Sequence, residues 1–186
     1  MNIEPHALQD VILLDRLWEI IYNYNINVVV ETGIDKGWST VAFSNLVSLV
    51  IGIDINPAAI ETASRNLKDS GRDNALLVLD NSPDALRKLE PILPSQTLYF
   101  LDAHWGNYWP LLDEIAAIKR GAGVIVFHDI FVPDHPELGH DSYGGQRLDY
   151  EYVKPALDRW SPSHRIEYNE RAEAPFPRGV AYAYPS

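Results

Sequence analysis

The stretch Val28-Val29-Val30-Glu31-Thr32-Gly33-Ile34-Asp35-Lys36-Gly37-Trp38-Ser39-Thr40 decides the fold. A β-branched run ending in an acid reads as a strand, Asn27 to Glu31. The two glycines after it read as a tight turn that delivers the chain into a helix. Strand, glycine turn and helix in that order open a βαβ unit. Outward from this unit, short runs rich in Val, Ile, Leu, Tyr and Phe recur at Leu49 to Ile53, Ala75 to Leu79, Thr97 to Leu101 and Gly123 to Phe127. Their near-continuous apolarity predicts burial on both faces, as in a parallel sheet.

The segments between the strands carry helical spacing and helix punctuation. Asn56-Pro57 supplies a cap and a first-turn proline, with Ile60, Ala63 and Leu67 following on one face and an end near Ser70 and Gly71. Ser82-Pro83 opens a second crossover, and Pro110 precedes a third containing Leu112, Ile115 and Ala116. A helix over His6 to Asn23 precedes the first strand. After the fifth strand come a polar loop from Pro133 to Gln146, a helix from Tyr150 to Trp160, and two final strands, His164 to Tyr168 and Gly179 to Tyr184. The expectation is one α/β domain over residues 1–186, a Rossmann-like doubly wound sheet, mostly parallel, with a C-terminal antiparallel strand pair.

Composition narrows the function. The 186 residues carry 15 Lys plus Arg against 26 Asp plus Glu, a net charge of -11. Such a chain is repelled by phosphate backbones and anionic bilayers, which argues against nucleic acid and membrane partners. No apolar run approaches the ~20 residues that span a bilayer, and Met1 to Asp10 lacks the basic lead-in of a signal peptide, so a cytoplasmic location is expected. Without cysteine, thiolate chemistry is excluded and a metal must use His and carboxylates.

In open parallel sheets the ligand crevice lies outside the carboxyl ends of the strands. There the Gly33 to Gly37 spacing, Gly-x-x-x-Gly, departs from both the Gly-x-Gly-x-x-Gly pyrophosphate turn and the P-loop, which disfavours a dinucleotide or triphosphate. The second strand ends Ile53-Asp54-Ile55-Asn56, placing an acid 23 residues beyond Glu31; an acid there can accept both hydroxyls of a ribose.

With an acid-x-Gly-x-x-x-Gly turn and an acid closing the second strand, residues Val28 to His128 resemble the class I S-adenosylmethionine-dependent methyltransferases. The resemblance implies that S-adenosylmethionine is the cofactor, that Glu31, Gly33 and Gly37 line its methionine moiety, and that Asp54 holds its ribose. Thr32, Ser39, Ile55 and Asp102 belong to the same implied binding set. Asp80, Asn81 and Ser82, at the end of the third strand, fall where that family meets adenine; helix capping is the competing reading of Asn81 and Ser82.

The fourth strand ends Leu101-Asp102-Ala103-His104 and the fifth Phe127-His128-Asp129, bringing two acids and two imidazoles to adjacent tips. Asp102, His128 and Asp129 offer donors for a divalent cation such as Mg or Mn. Alternatively His104 or His128 serves as a general base. The pattern is similar to a cation-dependent small-molecule O-methyltransferase and cephalosporin hydroxylase-like branch, which carries an acidic pair where this chain has His128-Asp129. The stretch from Phe131 to Tyr150, with His135, His140, Asp141, Tyr143, Gly144 and Gly145, has the makings of a lid. Trp105, Tyr108, Trp109 and Tyr143 can stack on a sugar or an aromatic acceptor.

The expected activity is therefore methyl transfer to a hydroxyl of a small molecule, with Asp102, His104 and His128 as the reacting groups. A non-catalytic S-adenosylmethionine-binding module, a nicotinamide-dependent oxidoreductase and a metal-dependent hydroxylase stand as alternatives. The sequence leaves a homo-oligomer open.

Overall fold

The computed structural model describes residues 7–106 and 108–186. Its strands are β1 (Val28–Thr32), β2 (Leu49–Asp54), β3 (Ala75–Leu79), β4 (Thr97–Leu101), β5 (Val124–His128), β6 (Ser142–Tyr143), β7 (Gln146–Arg147), β8 (Arg165–Tyr168) and β9 (Val180–Tyr184). The helices are α1 (Val11–Asn23), α2 (Trp38–Phe43), α3 (Pro57–Asp69), α4 (Ser82–Leu89), α5 (Leu111–Ala117) and α6 (Tyr150–Trp160). Seven strands form one sheet in the order β3-β2-β1-β4-β5-β9-β8. The first five pair in parallel, and β9 runs antiparallel to both β5 and β8. Strand order reverses between β1 and β4, the switch point at which open sheets gape.

Alternation along the strands divides the core into two layers. Val28, Val30, Tyr99, Leu101, Ile125 and Phe127 pack with α4, α5 and α6 on one face. Val29, Leu98, Phe100, Val124 and Val126 pack with α1 and Phe43 of α2 on the other. Side chains are buried on both faces along all of β1 and β4 and the bulk of β5, which is why their runs are mostly apolar. The edge strand β3 departs from the expected burial: Leu76 and Leu79 are half exposed, because β2 is its one neighbour in the sheet.

Strand ends shift by at most one residue from the sequence reading, and two differences are larger. The first helix begins at Val11, not His6, because the Asp10 side chain accepts from the backbone amides of Ile12 and Leu13 at 3.0 and 3.3 Å and caps the helix there. Ala7–Gln9 is a separate 3-10 turn, and His6 lies outside the described residues. The polar loop after β5 contains the β6-β7 hairpin, whose two-residue turn is Gly144-Gly145, both at positive φ. These glycines shape a hairpin tip, the place the sequence reading gave to lid hinges.

Candidate functional site

A cavity of about 410 Å³ opens at the carboxyl ends of β1, β2, β4 and β5. Gly33, Asp35, Asp54, Ile55, Asn56 and Ala59 line one side, and Asp102, His104, Trp105, His128 and Asp129 the other. The first group belongs to the turns after β1 and β2 and the first turn of α3, the second to the tips of β4 and β5 and the residues that follow them.

Gly33 sets the width of this crevice. Its amide donates to the Ile53 carbonyl at 2.9 Å, which binds the turn to β2, and its φ of +74° is left-handed. A Cβ here would lie 2.6 Å from the Asp102 carbonyl oxygen, so only glycine lets the β1 turn pass this close to the β4 exit. Gly37 plays a different part. Its Cβ position is 2.5 Å from the Cβ of Ala63, so it permits close packing of α2 on α3 and takes no part in the cavity wall.

Asp54 is held by its own loop. Its Oδ2 accepts from the Asp35 amide at 3.1 Å and its Oδ1 from the Asn56 amide at 2.8 Å. A carboxylate offers about four lone-pair sites, so two remain to accept vicinal hydroxyls from the cavity.

Glu31 faces inward rather than into the cavity. It is fully buried, accepts from the Thr40 hydroxyl at 2.6 Å, and takes a second hydroxyl hydrogen bond from Ser39. Burial pushes its carboxyl up to about 7 despite these two hydroxyls. Glu31 thus ties the turn to α2 from beneath. Thr32 contributes from behind as well, its carbonyl and hydroxyl both receiving the Asp102 amide at 3.3 Å. The expected adenine contacts also lie outside the wall. Asp80 pairs with Lys88 at 2.6 Å, Asn81 caps α4 through the Asp84 amide at 3.0 Å, and the Ser82 hydroxyl donates to buried Glu114.

On the acceptor side the charges form a chain. His128 Nδ1 lies 3.2 Å from Asp102 Oδ1 and 3.1 Å from Asp129 Oδ1. Burial pushes the imidazole down, but the two carboxylates outweigh it and hold the group up at about 10. The two carboxylates thus favour the protonated imidazole. Arg178 donates through Nε to Asp129 and through Nη2 to Asp141. Burial raises the Asp129 carboxyl, yet His128 and Arg178 hold it well below the usual carboxylate range. His104 Nε2 completes the chain, 3.0 Å from Asp141 Oδ2.

Among the described residues, Asp102, His104 and Asp129 are the group able to bring ligand atoms within 4.8 Å of one another. Its histidine is His104, where the sequence reading had His128. Asp129 Oδ1 already receives two cationic donors, from His128 and Arg178. That leaves Oδ2 as the Asp129 oxygen turned to His104, 3.8 Å from its Nε2.

The loop after β5 is tied down on three sides. The Asp141 amide donates to the Asp129 carbonyl at 2.9 Å, the Phe131 amide to the Leu148 carbonyl at 2.7 Å, and the Gly179 amide to the Gly139 carbonyl at 2.8 Å. It carries Tyr143 over the site, stacked between His104 at 6.2 Å and Trp109 at 5.1 Å between ring centroids. Arg178 and Glu114 are the site-region residues that sequence reasoning did not assign, and neither sits in a local motif; Asp141 entered it only as part of the lid stretch.

The chain matches no protein-family model and no curated protein. Solved structures do share its fold. One is an O-methyltransferase from Bacillus cereus in complex with SAH, with TM-score 0.69 and 14% identity, over 100% of this chain and 84% of that one. Another is the O-methyltransferase TomG from Streptomyces achromogenes, involved in tomaymycin synthesis and solved with SAM, with TM-score 0.71 and 15% identity over 98% and 82%. A third is a precorrin 8w decarboxylase from Methanobacterium thermoautotrophicum, with TM-score 0.62 and 20% identity over 99% and 92%. The fold of this chain is thus the class I methyltransferase fold. No helix among the described residues is long and apolar enough to cross a membrane.

Proposed function

We propose that this chain transfers a methyl group from S-adenosylmethionine to a hydroxyl oxygen of a small molecule. The observation that carries the reading is the cavity at the switch point, with a glycine of forced left-handed backbone on one wall and a half-engaged carboxylate, Asp54, on the same side. S-adenosylmethionine supplies the activated methyl group. Asp54 accepts the two ribose hydroxyls with its free lone pairs, while Gly33 lets the backbone approach the ligand without a side chain between them. The turn lacks the Gly-x-Gly-x-x-Gly pattern that a nicotinamide dinucleotide requires.

Asp102, His104 and Trp105 form the wall against which the acceptor lies. His104 takes the hydroxyl proton: Asp141 holds its Nε2–H, which leaves Nδ1 as the basic lone pair. His128 holds the Asp102 carboxylate in place and adds positive charge where the acceptor oxygen becomes negative. Tyr143 and Trp105 favour an acceptor with a flat ring or sugar face. Most of the rate comes from alignment.

Asp54→Ala tests the cofactor half. Loss of two charge-assisted hydrogen bonds should weaken S-adenosylhomocysteine binding roughly 30- to 100-fold, about 2–3 kcal/mol. Asp80→Ala should leave affinity unchanged, because Asp80 pairs with Lys88 outside the cavity wall. Calorimetric titration of both variants checks this; equal losses would return Asp80 to the binding site, and no loss in Asp54→Ala would remove Asp54 from it.

A further inference from the structure

We propose that the Arg178 and His128 side chains take up the carboxylate oxygens a divalent cation would need, so that this chain binds cofactor and acceptor without Mg or Mn. The inference rests on the methyltransferase reading for its biological meaning, and on the ion pairs themselves for its physical content.

The tips of β4 and β5 and the loop after β5 bring three carboxylates together, Asp102, Asp129 and Asp141. Three acids so close would ordinarily recruit a cation. Here the chain supplies its own. His128 Nδ1 lies within 3.2 Å of Asp102 and Asp129, and Arg178 bridges Asp129 and Asp141. The remaining donor, His104, is 3.0 Å from Asp141 and 3.8 Å from Asp129. A metal at Asp102, His104 and Asp129 would have to displace or sit against the Arg178 guanidinium and the His128 imidazole, both already on Asp129 Oδ1.

The arrangement is built into the backbone. Asp129 adopts a φ of +65°, costly for a residue with a side chain, and its carbonyl accepts from the Asp141 amide at 2.9 Å. One turn therefore presents Asp129 to both cations and fastens the loop that carries Asp141. His128 is a positioning residue in this scheme: its Nδ1 fixes Asp102 and Asp129 against each other.

The test is calorimetric titration of the full chain with MnCl2 and with MgCl2, for the wild type, His128→Asp and His128→Asn. The wild type should show no saturable binding tighter than about 1 mM. His128→Asp, which exchanges the imidazolium for a third ligand carboxylate, should bind one Mn at least about tenfold more tightly than that limit. His128→Asn, which removes the imidazole without adding a carboxylate, should bind Mn more weakly than the aspartate variant. Stoichiometric Mn binding to the wild type that Asp102→Asn abolishes would overturn the proposal, and this arm needs no His128 variant to fold. Two folded His128 variants as indifferent to metal as the wild type would overturn it too, since His128 would then not be the obstacle. Titration with S-adenosylhomocysteine in chelator separates the two levels: its failure sinks the methyltransferase reading and leaves the metal result standing.

Discussion

Gly33→Ala should lower the unfolding free energy by about 3–5 kcal/mol and abolish measurable cofactor binding. Two costs combine. The residue sits at φ +74°, where any side chain is strained by about 1 kcal/mol or more, and its new Cβ would lie 2.6 Å from the Asp102 carbonyl oxygen and 2.7 Å from the Ala103 Cα. Both neighbours are backbone, so relief requires parting β1 from β4 at the point where the crevice opens. Gly71→Ala is the internal comparison: its φ is +67°, with nothing within 4 Å of the added atom, and it should cost only about 1 kcal/mol. Urea unfolding of the two variants decides the matter. Equal costs would mean that the close approach of the β1 turn to the β4 exit does not constrain the fold.

A second large effect concerns pH. Glu31 and Glu114 are both fully buried, and burial pushes each carboxyl up from 4.5 to about 7. For Glu114 the Ser82 and Thr32 hydroxyls offset only part of this, and its Oε2 has no hydrogen-bond partner among the described residues. A carboxyl whose folded pKa is raised holds its proton longer when folded. Its contribution is fully present below about pH 4.5 and is lost as pH rises through 7. Each group then costs on the order of 3 kcal/mol at alkaline pH, less where the two share the field of Asp102. His128 acts in the same direction over a higher window, losing its contribution between about 6.5 and 10. The protein should therefore be more stable at pH 5 than at pH 8. Glu31→Gln with Glu114→Gln should flatten the slope between pH 4.5 and 7 and leave the decline above 7 in place. Urea unfolding across that range is the check; a wild-type stability that rises from pH 5 to 8 would contradict the buried, protonated assignment of both acids.

Much of this architecture is readable in the chain because strand tips are local. Asp54, Asp102, His128 and Asp129 follow their apolar runs directly, so once the strands are recognised the parallel order of β1, β2, β4 and β5 must bring them together. Which way an acid at a tip points is not local. Glu31 and Asp54 look alike in sequence, yet Glu31 turns down onto Ser39 and Thr40 while Asp54 stays in the cavity wall. Nor does spacing reveal why a glycine is needed: Gly33 answers to a backbone carbonyl, Gly37 to the Cβ of Ala63. Arg178 was least legible, since it reaches Asp129 across 49 residues and Asp141 across 37. Its arrival depends on β9 lying antiparallel beside β5, a pairing that places the residues before Val180 next to those after His128. Without Arg178, the histidine in the β5 pair reads equally well as ligand or base. With it, Asp102, Asp129 and Asp141 share two nitrogen partners, His128 and Arg178.

Calorimetric titration with S-adenosylhomocysteine, run in parallel with a nicotinamide dinucleotide, asks whether the cavity beside Gly33 and Asp54 binds the nucleoside of S-adenosylmethionine. One equivalent of S-adenosylhomocysteine bound at micromolar Kd, about -8 kcal/mol, with no heat from the dinucleotide, is the predicted result. No saturable binding of S-adenosylhomocysteine, or tighter binding of the dinucleotide, would contradict it.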